Sequence, residues 1–191
     1  GTTYSFPFSK STEAMFYNKE AFAEVGASLP ERGYWTWAEV VEIAEKLKEK
    51  YPNSTPIGYD SSDNLFITAS AQKEIPYTAF NAQGVGEILF NNDEAKAMVT
   101  YFSDLYKDGL FTIKDMLGKN TSNEFVVKSL FMSIGSTGGT KYNIPTDADW
   151  FDVGVAPIPQ FDAENAKSIQ QGPNINMFKK PVGWQKADRK G

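Results

Sequence analysis

An α/β layered domain, with a central β-sheet flanked by helices, is the fold class this sequence predicts. Two observations carry it. Short apolar runs recur along the chain and alternate with stretches of 3.6-residue periodicity. Several of the helical stretches open on a capping side chain and close at glycine or proline. The 191 residues suffice for one domain with a proper core.

The elements follow in order. Thr3–Phe8 alternates and carries aromatics, which predicts a strand ending at Pro7, and Ala14–Tyr17 reads as a second short strand. Asn18 is placed as the N-cap of a short helix over Lys19–Val25, with Gly26 as its stop. Ala27–Tyr34 is a loop broken by Pro30 and Gly33. The clearest helix follows. Thr36 and Glu39 form a T-x-x-E capping box, and Val40, Ile43, Ala44, Leu47 and Tyr51 recur as one buried stripe before Pro52. Glu42, Glu45, Lys46 and Glu49 lie on its solvated face.

Pro56–Tyr59 predicts a short strand, and the polar run Asp60-Ser61-Ser62-Asp63-Asn64 leads into a helix over Leu65–Gln72. Lys73–Asn91, with Pro76, Gly84 and Gly86, is expected to be loop with at most short elements. Asn92 caps a long helix over Asp93–Lys107, with Ala95, Met98, Val99, Phe102 and Tyr106 expected on its buried side and Gly109 after it. Thr121 and Glu124 make a second expected capping box before Phe125–Lys128. Leu130–Ile134, Val153–Ala156 and Ile175–Phe178 read as strands, Asp162–Gln170 as an exposed loop, and the basic tail Lys179–Gly191 has little pattern.

Composition narrows the chemistry. The formal charge of −5 supplies no basic stripe for phosphates, so a nucleic-acid partner is not expected. No apolar run reaches the roughly 18 residues of a membrane span. With no cysteine and no histidine, this chain by itself cannot build thiolate, Ser-His-Asp or His-ligated metal chemistry. No metal and no cofactor is expected. Fourteen Phe, nine Tyr and four Trp are a high aromatic load, most of it core and some of it able to stack on a sugar ring.

Four segments are candidate sites. Gly135-Ser136-Thr137-Gly138-Gly139 follows a strand and could cradle a ligand with backbone N–H groups and two hydroxyls, or be an ordinary tight turn; its spacing is not that of a Walker A loop. Asp60–Asn64 offers carboxylates, hydroxyls and an amide, and could equally be a turn with a helix cap. Gly172-Pro173-Asn174 permits close backbone approach, or is a plain loop. Trp35 and Trp37 could stack on a ligand or pack on the core. The carboxylate pairs Asp60/Asp63 and Asp147/Asp149 would suit a glycosidase, but 24 acidic residues make such proximity common.

The stretch Pro7-Phe8-Ser9-Lys10-Ser11-Thr12, followed by Phe16-Tyr17-Asn18-Lys19-Glu20-Ala21-Phe22, resembles the P-F-x-x-S-T…Y-Y-N-K-D-x-F signature of family 1 extracellular solute-binding proteins. That family includes the maltose-binding and glycerol-3-phosphate-binding proteins. The resemblance continues in order through Val25-Gly26-Ala27, Trp35-Thr36-Trp37-Ala38-Glu39, Phe90-Asn91-Asn92, Asp104–Leu110, Phe125–Ser136 and Phe151–Pro159. Thr137 stands where the maltose-binding branch has a tryptophan, which removes a stacking platform, and Val127-Lys128 replaces a usual glycine turn. Gly135–Gly139 is closer to the Ser- and Gly-rich loop of the glycerol-3-phosphate branch.

The resemblance implies a partial C-terminal lobe of a type II periplasmic-binding-protein-like fold over residues 1–191, cut at the hinge, without the first lobe and the last helices. It implies a non-catalytic, monomeric, extracytoplasmic component of an ABC importer, periplasmic or a surface lipoprotein. Such a protein would close on a small-molecule ligand and present it to permease subunits in the membrane. A carbohydrate ligand is expected. Glycerol-3-phosphate or another phosphorylated polyol is the alternative, and a two-carboxylate carbohydrate-active enzyme a weaker one. By matching position, the ligand-facing residues are Ser11, Ser62, Asp63, Asn64, Ser136, Thr137, Gly138, Gly172 and Asn174.

Overall fold

The structure is a computed structural model and describes residues 5–146 and 150–176. Its centre is a five-stranded mixed sheet in the order β6-β3-β7-β2-β8. Strand β2 (Glu13–Asn18) is antiparallel to β7 (Met132–Ser136) and β8 (Val153–Pro157), so that Met15 stands between Ile134 and Ala156. Strand β3 (Ile57–Tyr59) is parallel to β7 and to β6 (Phe111–Ile113). These directions bring the last residues of β3, β6, β7 and β8 and the first of β2 to one edge of the sheet. In open α/β sheets, ligands bind beyond the carboxyl ends of the parallel strands.

Both faces of the sheet are covered, which is why β2 reads as a nearly continuous apolar run. Met15 and Tyr17 face the larger core, under α1 (Lys19–Glu24), α2 (Trp37–Lys50), α3 (Ser62–Gln72) and α4 (Asp93–Lys107). Ala14 and Phe16, one residue out of phase, face a smaller core with Phe125, Leu130 and Phe151. Helix α2 matches its sequence signature. Both reciprocal bonds of the Thr36–Glu39 capping box form, and Val40, Ile43, Ala44 and Leu47 are buried. Tyr51 is the residue that caps the far end and is only half-buried.

Asn18 and Asn92 also cap as expected, their side chains accepting from the N–H groups of Ala21 and Ala95. Helix α4 has the expected bounds but a narrower buried stripe. Ala95, Met98, Phe102 and Leu105 are inside, whereas Val99 and Tyr106 are 50% and 47% exposed. The 3-4-3 spacing of the buried four is a seam between α3 and β6, and Val99 and Tyr106 fall just beside it.

Lys73–Asn91, expected as loop with at most short elements, holds a short hairpin of β4 (Thr78–Phe80) and β5 (Gly86–Ile88). Its turn is held by Asn81, whose side chain accepts from the N–H groups of Gln83 and Val85, with Gly84 at φ +74°. Both strands are three residues long and exposed, so no hydrophobic alternation marks them. The equally short β6, and α5 (Lys114–Leu117) after it, were not expected. Helix α6 (Thr121–Val126) starts without a side-chain cap of its own, so the Thr121–Glu124 capping box does not form. Gly135 and Ser136 end β7 and Thr137–Asn143 is a 3₁₀ helix, where a loop was expected.

The chain's first strand, β1 (Ser5–Pro7), pairs antiparallel with β9 (Asn174–Asn176) as a separate ribbon. Met177, Phe178, the basic tail and the pair Asp147/Asp149 lie outside the described residues.

Candidate functional site

Three segments far apart in sequence meet at the strand-end edge of the sheet. Ser11 and Gln171 form an antiparallel bridge, each N–H donating to the other's carbonyl at 3.2 and 2.8 Å. Ser136, at the end of β7, donates from its Oγ to Ser11 Oγ at 3.1 Å. The same Ser136 oxygen accepts the Gly138 N–H at 3.2 Å, which starts the 3₁₀ helix. Thr137 N–H donates to the Thr12 carbonyl at 2.8 Å, and Thr12 N–H donates to Thr137 Oγ1 at 3.3 Å. Thr12 Oγ1 also lies 2.8 Å from Ser168 Oγ. The result is a hydroxyl-rich patch knitted across the crossing segments.

Gly172 belongs to this patch through the backbone. Its carbonyl accepts from Lys10 Nζ at 2.6 Å. Its φ is +101°, and a Cβ there would sit 2.2 Å from the Ser9 carbonyl oxygen, so the two crossing segments approach this closely only because residue 172 is glycine. Asn174 is not brought in. It lies exposed in β9 opposite Pro7.

Ser62, Asp63 and Asn64 form the first turn of α3. Ser61 caps α3, its Oγ accepting the Asn64 N–H. Ser62 donates to Asp115 Oδ2 at 2.6 Å, beside an apolar groove between α3 and α4 lined by Leu65, Phe66, Met98 and Tyr106. Asp63 is exposed. No described hydrogen bond ties these three residues to the serine patch, because the first turn of α3 leads away from β7.

The residue of that loop that does reach β7 is Asp60. Its Oδ1 accepts from the Thr121 N–H at 2.9 Å and from Thr121 Oγ1 at 3.2 Å. Thr121 Oγ1 is 2.9 Å from Ser133 Oγ. Gly135 has no side chain where Asp60 approaches, since a Cβ there would lie 3.1 Å from the Asp60 Cβ. The polar residues Asp60, Thr121, Ser133, Ser136, Tyr142 and Asn143 line a cavity of about 200 Å³ next to Ser11. Asn143 is 5% exposed, and its Oδ1 has no hydrogen-bond partner among the described residues. No local pattern pointed to Thr121, Ser133, Tyr142 or Asn143.

Behind the patch lies a buried carboxylate. Glu13, opposite Ser136, is 4% exposed, and its Oε2 accepts from Tyr59 and Thr68 hydroxyls, both at 2.8 Å. Burial pushes the Glu13 carboxyl above the ordinary carboxylate range, against the pull of the Tyr59, Thr68 and Gln171 side chains. Burial and the neighbouring Glu13 raise the Tyr59 phenol in turn. Period 2 was the available signal, since Glu13 shares a strand face with Met15 and Tyr17.

Trp35 and Trp37 are 2% and 3% exposed and pack edge-on against Tyr17, Phe22 and Phe102, so they are core side chains and not stacking platforms. Arg32 pairs with Glu39, away from the patch. Among the described residues, no three His, Cys, Asp or Glu side chains gather as a metal site, and no helix is long and apolar enough to cross a membrane.

A family model described as bacterial extracellular solute-binding protein matches residues 1–187. The sn-glycerol-3-phosphate-binding periplasmic protein UgpB of Brucella abortus is 27% identical over 191 aligned residues, covering 93% of this chain and 41% of the relative. The chain therefore spans about two fifths of that relative's length. Among solved structures, UgpB from Mycobacterium tuberculosis in complex with glycerophosphocholine has a TM-score of 0.68 at 20% identity, over 89% of this chain and 41% of that one. Maltose-bound MalE3 of T. maritima has a TM-score of 0.69 at 18% identity, over 94% of this chain and 46% of that one. The shared architecture is the type II periplasmic-binding-protein fold.

Proposed function

The chain belongs to the bacterial extracellular solute-binding proteins, and on that premise we propose that it supplies one lobe, the C-terminal one, of the ligand-capturing component of an ABC importer. The full-length protein holds a neutral carbohydrate or polyol between two lobes, closes by hinge motion about the crossing segments, and hands the ligand unchanged to membrane permease subunits. Its place is outside the cytoplasm, in a periplasm or tethered to the cell surface as a lipoprotein, and it works as a monomer.

The observation that carries the ligand class is the patch at the strand ends. Ser11, Thr12, Ser136 and Thr137 present hydroxyls and backbone groups, beside the carboxylate of Asp60. Lys10 is turned onto the Gly172 carbonyl. Hydroxyl-bearing ligands hydrogen-bond to such a surface without needing a counter-charge. Capture without chemistry fits the same residues. Asp60 is engaged by Thr121, while Asp63 is exposed in the first turn of α3.

A phosphorylated polyol is the second reading. The Brucella relative carries glycerol-3-phosphate in its name. Lys141, held over the Tyr142 ring at 4.8 Å beside the cavity, would be its counter-charge.

The test is calorimetry and thermal shift of the full-length protein with mono- and oligosaccharides, mannitol and glycerol-3-phosphate. A cognate ligand at a hundred times its dissociation constant stabilises by about 2.7 kcal/mol. A sugar or mannitol response supports the main reading, and a response to glycerol-3-phosphate alone replaces it with the second. Turnover of a glycoside would overturn both.

A further inference from the structure

Ser11 and Glu13 are two residues apart in an extended segment, so their side chains share a face. Gln171 bridges Ser11, which makes it the diagonal neighbour of Glu13, within reach of a long side chain. The Gln171 amide is close enough to act on the Glu13 carboxyl. Yet Glu13 Oε1 and Gln171 Nε2 are both buried with no hydrogen-bond partner among the described residues. For an ionised carboxylate such an arrangement is costly. For a neutral acid it follows from the geometry. Glu13 Oε2 accepts the Tyr59 and Thr68 hydroxyls, so the proton of the neutral acid belongs on Oε1. That O–H then faces the Gln171 N–H groups, donor against donor.

We propose that Glu13 and Gln171 form a proton-operated latch between β2 and the crossing segment at Gly172: ionised Glu13 accepts the Gln171 side-chain amide on Oε1, and neutral Glu13 releases it. The ionised group could instead draw in water by lifting that segment away. The Ser11–Gln171 bridge, the Phe8 N–H on the Pro173 carbonyl, Lys10 on the Gly172 carbonyl and Thr12 Oγ1 on the Ile169 carbonyl all oppose this. Turning the Gln171 amide breaks no described hydrogen bond and is the cheaper response. Tyr59, from β3, is the titratable group against Glu13, and its raised phenol stays protonated as a donor. Thr68 of α3, the strand neighbours Ser136 and Pro157, and Gln171 itself carry no charge. The latch is therefore open in acid and shut above a midpoint that burial lifts beyond the ordinary carboxylate range. Its bearing on lobe closure rests on the solute-binding reading, in which the crossing segments flex, whereas the pair itself does not.

The experiment is a pH titration of the ligand-free full-length protein by NMR, from about pH 4 to pH 8, with ¹³C on the glutamate carboxyls and ¹⁵N on the glutamine amides. The Glu13 carboxyl carbon and the Gln171 side-chain N–H signals should titrate with one shared midpoint, the N–H proton moving downfield as pH rises. Gln171→Met keeps the length of the side chain and removes the donor. It should raise the Glu13 midpoint by about one pH unit, a roughly tenfold tighter hold on the proton. Glu13→Gln should abolish the titration of the Gln171 signals. Four outcomes overturn the proposal. Gln171 signals that stay flat through the Glu13 midpoint mean that no latch shuts. An unchanged midpoint in Q171M means that the amide serves acid and carboxylate alike. Faster solvent exchange of the Ser11 and Gln171 backbone amides on ionisation means that the carboxylate draws in water instead. A Glu13 that keeps its proton across the whole range leaves nothing to operate the latch. No ligand enters these measurements, so failure of the solute-binding reading would show separately, as silence in the ligand screen.

Discussion

Asp60 and Thr121, 61 positions apart in sequence, form the cap of helix α6: the Asp60 carboxylate accepts both the backbone N–H and the hydroxyl of Thr121. The sequence pattern put a local capping box at Thr121, yet Thr121 is itself the first helical residue. The acceptor arrives from the end of β3. A carboxylate at that point also meets the positive end of the helix. Replacing Asp60 with alanine should lower stability by about 1 to 2 kcal/mol in urea unfolding, the usual cost of a lost cap, and D60N should recover most of it. Equal losses in the two variants would mean that the cap is not what Asp60 supplies.

Gly172 is the position at which the crossing segments tolerate no side chain. Its φ of +101° disfavours any L-residue, and the Ser9 carbonyl occupies the space a Cβ needs. Gly172→Ala should cost more than about 1 kcal/mol and should speed hydrogen exchange at the Ser11 and Gln171 amides, which donate across the bridge. Unchanged exchange at those two amides would show that the bridge does not depend on the glycine.

Glu13 makes stability depend on pH in an uncommon direction. Its folded-state pKa is raised, so the folded protein holds the proton more tightly than the unfolded chain does. Stability is then greatest below the unfolded value and falls as pH rises through the folded one. Glu13→Gln keeps an oxygen for Tyr59 and Thr68 and removes the charge. The variant should match wild type in acid and gain on it from about pH 4 upward, by about 1.4 kcal/mol for each pH unit that separates the unfolded and folded pKa values. Urea titrations across the pH range check this, and a difference that is flat with pH would refute it.

Leu105 and Tyr106 distinguish the observed seam of α4 from the one the pattern suggested. Leu105 is 7% exposed and Tyr106 is 47% exposed. Leu105→Ala should cost about 2 to 5 kcal/mol, and Tyr106→Ala clearly less. The reverse order in thermal or chemical unfolding would mean that the helix is rotated by about one residue.

Local chemistry made much of this legible. The caps at Asn18, Thr36 and Asn92 act within three residues of themselves, and the α2 stripe repeats within one helix. The motif order from Pro7 to Pro159 was enough to expect the family that residues 1–187 match. Ser11 and Ser136 were candidates because they sit in those motifs, and Thr137 and Gly172 because they sit in glycine-containing loops. Nothing local showed the hairpin β4–β5 or strand β6, whose three-residue strands are too short to display a period.

The sequence by itself determined the α/β class and the bounds of α2 and α4, because those follow from interactions at separations of three or four residues, and its order of motifs pointed to the family. Only the tertiary structure decided which polar groups share a site. It set Ser136 against Ser11, 125 residues away, put Asp60 on Thr121, and buried Glu13 under Tyr59 and Thr68. It also sent Ser62 to Asp115 and Asn174 to the β1–β9 ribbon, away from the serine patch. The physical reason is that a hydroxyl or a carboxylate carries no mark of its partner in the sequence. Its partner is chosen by which strand ends the sheet brings together.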